Sequence, residues 1–532
     1  MRARHLIPPT VPLGIAALVL AGCAVTASPS SPVDDTVAAQ TSASTSSSTS
    51  AEAILAANEN ATVVRDDEWS DADAVDITLT GGGATTTADG VVVDGSTVTI
   101  GEAGVYRLSG SLDGSVIVSA ADDAQVVLIL DGVDISNDDG PAITVLTADD
   151  VAISLAEGTN NTLSDASSYA DDTDANAALY SSADLTITGT GTLTIDGHGN
   201  DGITSTDDLA ILSGVISVTA ADDALRGKDS LTIEGGTLTL TAGGDALKSD
   251  NDDEETRGYI AIEGGEVDAT AADDGLDATT DVVILGGDLT VAAEGDGLHA
   301  DAALAIAGGT TTVTRSNEAV EGVDIVIEGG DIDLTASDDG INAAGGAEAS
   351  AGGGMADTGE TLTISGGTLT IDAGGDGLDS NGSMSITGGT TTVFGPTDDG
   401  NGALDTNGAF TISGGTLLAI GSSGMAEAPD GDSAQAWVAA LASGSEGDDV
   451  QLLDADGATV AAFTAAKSFD SVVFSSADVI DGAVYTVSVN GETAASATEG
   501  AAIASGRGGP GGGSGGGPGG GSGQETDGDQ RP

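Results

Sequence analysis

A pair of adjacent glycines recurs along the middle of the chain and constrains its architecture more than any other feature. The first glycine of each pair stands at positions 235, 264, 286, 308, 329, 366, 388 and 414. The intervals between these positions are 29, 22, 22, 21, 37, 22 and 26 residues, which indicates a unit of 22 residues with insertions. Because one such unit cannot bury its own apolar face, neighbouring units are expected to stack into one continuous core.

Apolar and polar residues alternate on both sides of each glycine pair. Leu231 and Ile233 precede the pair at 235, and Leu238 and Leu240 follow it. Such alternation is typical of short β-strands with one buried face. Two short strands joined by Gly-Gly and followed by a turn predict one rung of a parallel β-helix. Residues 89–200 continue this pattern with less regular rungs.

The N-terminus carries an export signal. Arg2 and Arg4 precede an apolar stretch that is too short to cross a bilayer and remain there. The stretch ends in Leu-Ala-Gly-Cys, which resembles a bacterial lipobox, so we expect Cys23 to be lipid-modified and to anchor the mature chain to the cell membrane. Since Cys23 is the single cysteine of the chain, an intrachain disulfide is excluded.

The rest of the chain divides by composition. After a signal peptide at 1–22, residues 23–65 are Ser/Thr-rich and predict a flexible tether. Residues 66–430 form the predicted β-helix, and residues 431–495 contain strand patterns with Asp-Gly turns, typical of a small β unit that caps the repeats. Residues 496–532 are Gly-rich and are expected to be disordered. The expected fold is therefore all-β, a solenoid of about 22 residues per rung with a C-terminal β unit, in a monomer.

Each rung opens with an acidic residue followed by a small residue and an aliphatic one. We call these acids the acid row: Asp201, Asp223, Asp245, Asp274, Asp296, Glu318, Asp339 and Asp376. Stacked rungs place them about 4.8 Å apart, where like charges repel by about 3.5 kcal/mol per neighbouring pair at an effective dielectric constant of 20. Backbone N–H groups at the turns are one means of offsetting this repulsion. Calcium, which prefers carboxylate oxygens, is the other.

Calcium is accommodated best where the acid row meets an acidic insertion at 249–259. The residues expected to supply ligands are Asp245, Asp250, Asp252, Asp253, Asp274 and Asp277. The formal net charge of −74 excludes nucleic acid as a partner, because binding to a polyanion is driven by Lys and Arg.

Four of the few bases gather near this insertion. Arg226 and Lys248 occupy the same position in adjacent rungs, and Lys228 and Arg257 lie close to them in sequence. Three roles fit these residues. They balance the acid row, they form a cleft that binds the carboxylates of a uronic-acid polymer, or Lys248 or Arg226 acts as the base of a lyase.

Several long segments resemble one known family. They are STVTIGEAGVYRLSGSLDGSVIVSAADDAQVVLILDGVDIS, AISLAEGTNNTLSD, RGYIAIEGG and VAAFTAAKSFDSVVFSSADVIDGAVYTVSVNG. Over roughly residues 66–495 the chain is similar to a bacterial carbohydrate-binding domain family. The resemblance implies a right-handed parallel β-helix related to pectate lyases, bound calcium, and binding to cell-wall polysaccharides such as cellulose or polygalacturonate.

Together these features predict an extracellular, lipid-anchored protein that binds a polysaccharide with calcium. They predict no catalytic residue. Aromatic residues make up 2% of the chain, so calcium with Arg and Lys is a better recognition chemistry than a strip of stacked rings. Two alternatives stay open: a structural cell-surface adhesin or spacer that calcium stiffens, and a pectate-lyase-like enzyme.

Overall fold

The computed structural model describes residues 50–170, 173–345 and 356–503. The predicted signal peptide, Cys23, residues 23–49 of the predicted tether and the tail beyond residue 503 lie outside these residues. The described part is all-β apart from helix α1 (Ala51–Leu55) and a 3-10 turn (Asp71–Asp73). None of its helices has the length and apolar character needed to cross a membrane.

The strands fall into three groups along the chain. The irregular first part contains β1 Val75–Gly81, β2 Ala84–Thr86, β3 Val91–Asp94, β4 Thr97–Ile100, β5 Gly104–Asp113, β6 Ser115–Ser119, β7 Gln125–Ser136, β8 Ile143–Thr147, β9 Asp150–Leu155, β10 Asn160–Ser164, β11 Ala177–Ser181, β12 Asp184–Gly189 and β13 Thr192–Gly197.

The regular repeats contain β14 Asp201–Ser205, β15 Asp208–Ile211, β16 Val215–Ala220, β17 Leu225–Gly227, β18 Ser230–Ile233, β19 Thr237–Ala242, β20 Leu247–Ser249, β21 Tyr259–Ile262, β22 Glu266–Ala271, β23 Leu276–Ala278, β24 Val282–Ile284, β25 Asp288–Ala292, β26 Leu298–Ile306, β27 Thr310–Arg315, β28 Val320–Ile327, β29 Asp331–Ala336, β30 Ile341–Ala343, β31 Thr361–Ile364, β32 Thr368–Ala373, β33 Leu378–Ser380, β34 Ser383–Ile386, β35 Thr390–Phe394, β36 Leu404–Thr406, β37 Phe410–Ile412 and β38 Thr416–Gly421. The C-terminal part contains β39 Trp437–Gly444, β40 Asp449–Leu453, β41 Thr459–Thr464, β42 Phe469–Ser475, β43 Val484–Val489 and β44 Glu492–Thr498.

The repeat strands pair in three parallel ladders within one sheet of 40 strands. A strand pairs with the strand that holds the same place in the next repeat, as β17 does with β20, β18 with β21 and β19 with β22. We call these the first, second and third ladders. Strands β26 and β28 are long enough to take part in both the first and the second ladder. The inward residues of all three ladders form one apolar cluster, which extends from Ile77 to Val473.

The glycine pairs lie between the second and third ladders, where the backbones of neighbouring repeats approach closely. The second glycine of each pair has φ between +76° and +99°, a region that other residues rarely adopt. A Cβ atom on Gly309 would lie 2.2 Å from the carbonyl oxygen of Gly287, the equivalent glycine of the preceding repeat. The recurring pair therefore has two causes, the left-handed backbone and the lack of space for a side chain.

Residues 50–65, which we call the strap, lie against the outer face of the second ladder. Ala51 and Ile54 pack on Val283, Ala305 and Val326. At the other end of the strap, Val64 packs on β7 and β9, and its N–H donates to a threonine hydroxyl of β12 at 3.0 Å. The sequence predicts a flexible tether that extends to residue 65. In the structure, residues 50–65 instead pack on apolar side chains that point outward from the ladders.

The C-terminal part continues the sheet and adds a second one. Strand β42 pairs antiparallel with β38, the last strand of the third ladder, so the edge of β38 is hydrogen-bonded. Strand β39 pairs with the other edge of β42, and β41, β40, β43 and β44 form a separate four-stranded sheet. Strand β44 ends at Thr498, three residues beyond the predicted end of this unit.

Replacing a stacked glycine tests the packing of neighbouring repeats. We expect Gly309→Ala to lower the free energy of unfolding by about 1–2 kcal/mol, because alanine disfavours the left-handed backbone. Overpacking should lower it by about 1–3 kcal/mol more. Gly132→Ala is the matched control, because Gly132 has φ +75° in the same sheet and no atom within 4 Å of an added Cβ. Urea unfolding measures both variants. Equal losses of unfolding free energy would contradict the stacking explanation.

Candidate functional site

The acid row is held together by hydrogen bonds between repeats. The carboxylate of every member except Glu318 accepts the backbone N–H of the corresponding residue in the next repeat. The donor and acceptor pairs are Asp223 to Asp201 at 3.3 Å, Asp245 to Asp223 at 2.8 Å, Asp274 to Asp245 at 2.9 Å, Asp296 to Asp274 at 2.6 Å, Glu318 to Asp296 at 3.0 Å, Asp376 to Asp339 at 2.5 Å and Gly402 to Asp376 at 2.5 Å. These bonds offset part of the repulsion between the stacked carboxylates.

Burial raises the pKa of several members of the acid row. The pKa of Asp201 rises to about 6, and those of Asp223 and Asp274 rise to about 7. Desolvation is the largest cause, and neighbouring carboxylates add to it. Part of the row is therefore protonated near neutral pH, which reduces its charge further.

A second row of polar side chains runs beside the acid row on the first ladder. We call it the mixed row, and its members lie in register in consecutive repeats: Thr204, Arg226, Lys248, Asp277, His299, Glu321, Asn342, Asp379 and Asp405. Arg226 and Lys248 near its start are basic, whereas its members from Glu321 onward are acidic or neutral. This change of charge divides the face into two parts with different chemistry.

In the early part of the mixed row, each base meets carboxylates. Arg226 makes two hydrogen bonds to Asp250, from Nε at 3.2 Å and from Nη2 at 2.5 Å. Lys248 contacts Asp245 and lies 3.2 Å from Asp277. Burial lowers the pKa of Lys248, but the hydrogen bond to Asp245 and the nearby carboxylates outweigh it and raise the pKa above its ordinary value. Lys248 is therefore a permanent cation.

The other two bases of the predicted carbohydrate site behave differently from each other. Arg257 contacts Asp229 and lies 3.3 Å from Glu59 of the strap and 3.5 Å from Asp207. Lys228 forms no ion pair within the described residues. Three of the four bases predicted to bind carbohydrate are thus engaged by the protein's own carboxylates.

The predicted calcium ligands do not converge as one group. Asp250 pairs with Arg226, and Asp252 and Asp253 are exposed and outside every acidic cluster found in the described part of the chain. Asp274 belongs to two clusters, one with Asp245 and Asp273 and one with Asp277 and His299. Lys248 contacts Asp245 and Asp277, so these two clusters already contain a cation.

His299 is a second cation in this region. A hydrogen bond to Asp277 at 3.1 Å is the largest cause that raises its pKa, to about 9, and the carboxylates of Glu321 and Asp301 contribute as well. Burial raises the pKa of Asp277, but the hydrogen bond from His299 and the charge of Lys248 outweigh it and lower the pKa. Alternating charges therefore stabilise the middle of the mixed row.

Where the late part of the mixed row meets the acid row, a cluster of carboxylates has no such basic partner. Asp339, Asp376 and Asp379 each offer one ligand oxygen, and these oxygens lie within 4.8 Å of one another. No Lys, Arg or His forms an ion pair with them in the residues that the structure describes. Burial, followed by repulsion from other acids, raises the pKa of Asp379 to about 8 and that of Asp376 to about 7.

Asn342 adds a neutral oxygen beside this cluster. It is 8% exposed and lies in register with Asp379 in the next repeat. Its amide nitrogen donates to Glu318 in the preceding repeat at 2.9 Å. Its amide oxygen is buried and has no hydrogen-bond partner. We call Asp339, Asp376, Asp379 and Asn342 the carboxylate site.

The carboxylate site fits a hard divalent cation. Three carboxylates and an amide oxygen are the ligand types that Ca²⁺ prefers, and Ca²⁺ takes six to eight oxygens, so water or sugar oxygens would complete the shell. The sequence alone does not distinguish this site, because with 86 acidic residues any local group of acids is uninformative. The informative signal was the absence of bases from the late positions of the mixed row.

Comparisons with known proteins agree with one another on one kind of domain. The family model described as "Carbohydrate-binding domain-containing protein" matches residues 94–359 and 294–508. A carbohydrate-binding domain-containing protein of Acetivibrio thermocellus is 39% identical over 137 residues, which are 25% of this chain and 48% of that protein. The chain thus matches about half the length of this curated relative.

A solved structure is also similar to part of the chain. It is the structure of the polysaccharide lyase-like protein from C. thermocellum, a gadolinium derivative. The TM-score is 0.39 and the sequence identity is 30%, over 49% of this chain and 94% of that chain.

Removal of Lys248 tests whether the bases balance the acid row. We expect Lys248→Met to lower the free energy of unfolding by about 1–3 kcal/mol, because Asp245 and Asp277 would lose a charged donor. Lys228→Met is the matched control and is expected to change stability by less than about 0.5 kcal/mol. Urea unfolding at pH 8 measures both variants. If the two variants were equally stable, the balancing role of Lys248 would be wrong.

The raised pKa values predict an unusual dependence of stability on pH. The folded state holds protons on Asp201 and Asp223 up to about pH 6 and 7, whereas their ordinary pKa is 3.8. The free energy of unfolding therefore falls as the pH rises through this range, by at most about 1.4 kcal/mol per pH unit for each group. We expect lower urea midpoints at pH 8 than at pH 5, in the presence of EDTA.

Asp223→Asn tests the origin of this pH dependence. The asparagine oxygen still accepts the N–H of Asp245, but the side chain no longer titrates. The difference between the midpoints at pH 5 and pH 8 should therefore shrink. An unchanged difference would show that Asp223 is not among the groups responsible.

Proposed function

The chain belongs to the carbohydrate-binding domain-containing family, and from this premise we propose that it binds a cell-wall polysaccharide outside the cell, with calcium at the carboxylate site. Family membership confirms the resemblance seen in the sequence and supports carbohydrate binding in general. The kind of polysaccharide, the metal and the cellular location belong to the proposal.

The proposed fold is a right-handed parallel β-helix formed by the three ladders. The supporting observation is the register, because strands in all three ladders pair in parallel with the equivalent strands of the next repeat. Crossovers between parallel strands are right-handed in nearly all proteins, which supports the hand. Such a fold displays the acid row and the mixed row as continuous lines of side chains.

One observation carries the proposal of calcium binding: the unpartnered amide oxygen of Asn342 beside three carboxylates that lack a cation. Burying such a group without a partner is costly, and a divalent ion would satisfy the carboxylates and the amide oxygen together. A bound calcium would supply open coordination positions for sugar hydroxyl or carboxylate oxygens. The predicted ligands Asp245, Asp274 and Asp277 remain a second candidate, which the ion pairs of Lys248 make less favourable.

The ion pairs also bear on how a polysaccharide is recognised. Arg226, Lys248 and Arg257 are engaged by carboxylates, which leaves Lys228 as the base best able to meet a ligand. A uronic-acid polymer would therefore be held through calcium rather than by direct ion pairs with a basic cleft. The bases are better explained as counterions of the acid row.

We further propose that the chain binds its polysaccharide without cleaving it. A lyase base must be neutral before it abstracts a proton. The raised pKa of Lys248 keeps its ammonium group protonated, and Arg226 is held in a two-point contact with Asp250. Both features favour the binding role over the lyase role. The lipid anchor at Cys23 would hold the protein at the cell surface.

Retention on insoluble glycans tests this proposal. The full mature chain should bind calcium-polygalacturonate gel or cellulose in the presence of calcium, and EDTA should release it. We expect Asp379→Asn to weaken calcium binding by at least about tenfold. Asp333→Asn is the matched control, because Asp333 is an exposed acid of a neighbouring strand outside the carboxylate site. Isothermal titration calorimetry with calcium alone measures both variants.

Three outcomes would contradict the proposal in different ways. Retention on no glycan would leave a structural adhesin or spacer as the better explanation. Retention that survives EDTA would exclude calcium from recognition. A rise in the absorbance of unsaturated products from polygalacturonate would show that the chain is a lyase.

A further inference from the structure

Two acids of the carboxylate site each keep one carboxylate oxygen unengaged within the described residues. Oδ1 of Asp339 accepts the N–H of Asp376, and Oδ1 of Asp376 accepts the N–H of Gly402. In the same part of the chain, neither Oδ2 forms a hydrogen bond or an ion pair. Both residues, like Asp379, are half-buried and therefore reach the solvent. An ion held between them would keep coordination positions open to a ligand from outside.

Two further acids lie close to this site. Asp405 follows Asp379 in the mixed row, one repeat further along. Burial is the largest cause of the raised pKa of Asp339, Asp376 and Asp379, and the negative charge of Asp405 adds to it in all three. The charge of Asp338 adds to it in Asp339 and Asp376. A divalent ion would offset two of these five formal charges, so the occupied site would stay negative.

The bases in the described part of the chain do not reverse this sign. The register places His299 three repeats and Lys248 five repeats before Asp379. At about 4.8 Å per repeat, these separations are about 14 and 24 Å. The Debye length at physiological ionic strength is about 8 Å, so both cations are screened from a ligand at the carboxylate site. Lys467 of the C-terminal part is paired with Asp372 of the third ladder at 2.8 Å.

We propose that the calcium-loaded carboxylate site binds two adjacent hydroxyl groups of a neutral sugar and rejects uronic acids. Calcium takes six to eight oxygens, of which the three carboxylates and the unpartnered amide oxygen of Asn342 supply only a part. Two neighbouring hydroxyl groups complete the shell without adding negative charge, whereas a uronate carboxylate would enter a negative field. This inference rests on the calcium-dependent binding proposed above and narrows its ligand to neutral polysaccharides.

Saturation-transfer NMR on the calcium-loaded full mature chain tests the proposal with matched sugars. The probes are the methyl glycosides of glucose, galactose and mannose, each paired with the methyl glycoside of its uronate. We expect at least one neutral sugar to bind and its uronate to bind at least about tenfold more weakly, since the uncompensated acids repel it. EDTA should abolish the binding, and a deoxy analogue that lacks one of the two adjacent hydroxyl groups should not bind.

A pair of variants tests whether charge causes this preference. Asp405→Asn removes one charge about 4.8 Å from Asp379, so it should improve uronate binding about fourfold. Binding of the neutral sugar to the calcium-saturated variant should stay the same. Asp333→Asn is the matched control, because Asp333 is an exposed acid of the third ladder and its replacement should change neither affinity. Salt at about 1 M should also narrow the preference of the unmodified chain.

Three results would overturn the inference. They are the absence of any neutral-sugar signal at millimolar concentration in calcium, a uronate that binds as tightly as its neutral partner, and a preference that Asp405→Asn leaves unchanged. Titration with calcium alone separates this inference from the proposed function. If the chain binds calcium and is retained on polygalacturonate while neutral sugars do not bind, the inference falls alone. If the chain does not bind calcium, the calcium proposal itself falls.

Discussion

Stacking of equivalent residues at a spacing of about 4.8 Å is the constraint on which the rest of this structure depends. Every residue of a repeat lies beside the equivalent residue of the next repeat. Where two such residues repel or overlap, a nearby group must offset the unfavourable contact. Between the second and third ladders the backbones of neighbouring repeats approach closely, and glycine fits there because it has no side chain. In the acid row, a backbone N–H from the next repeat donates to every carboxylate except that of Glu318.

The same constraint divides the mixed row into a part where charges are paired and a part where they are not. Where bases occupy the row, as at Arg226 and Lys248, they form ion pairs with carboxylates and leave little charge for a ligand. Where bases are missing, as beside Asp376 and Asp379, the stacked acids have raised pKa values and form no ion pair among the described residues. Affinity for a cation is therefore expected at the positions that the chain itself does not neutralise. A basic motif near an acidic insertion was the more conspicuous signal in the sequence, but it marks the better-compensated region.

The strap shows a limit of reasoning from composition. Its Ser/Thr-rich surroundings suggested a flexible tether through residue 65, yet residues 50–65 pack on the second ladder. A signal for this contact was present elsewhere in the sequence. Strands such as β24 and β28 are apolar at outward as well as inward positions, which is typical of strands buried on both faces. Alternation of apolar and polar residues predicts one buried face. The departure of these strands from alternation indicates that another segment covers their outer face.

The sequence by itself determined the all-β class, the 22-residue unit, the strands around the glycine pairs, the acid row and the resemblance to carbohydrate-binding domains. These follow from local periodicity and from residue types at fixed spacing, both of which can be read along the chain. Only the tertiary structure decided which acids meet a base, that Asn342 lies in register with Asp379, and that the strap packs on the second ladder. The physical reason is that most of these contacts join residues far apart in the chain: 24 positions separate Arg226 from Asp250, and 200 separate Tyr259 from Glu59. Their partners are set by side-chain direction and by the path of the strap rather than by the repeat.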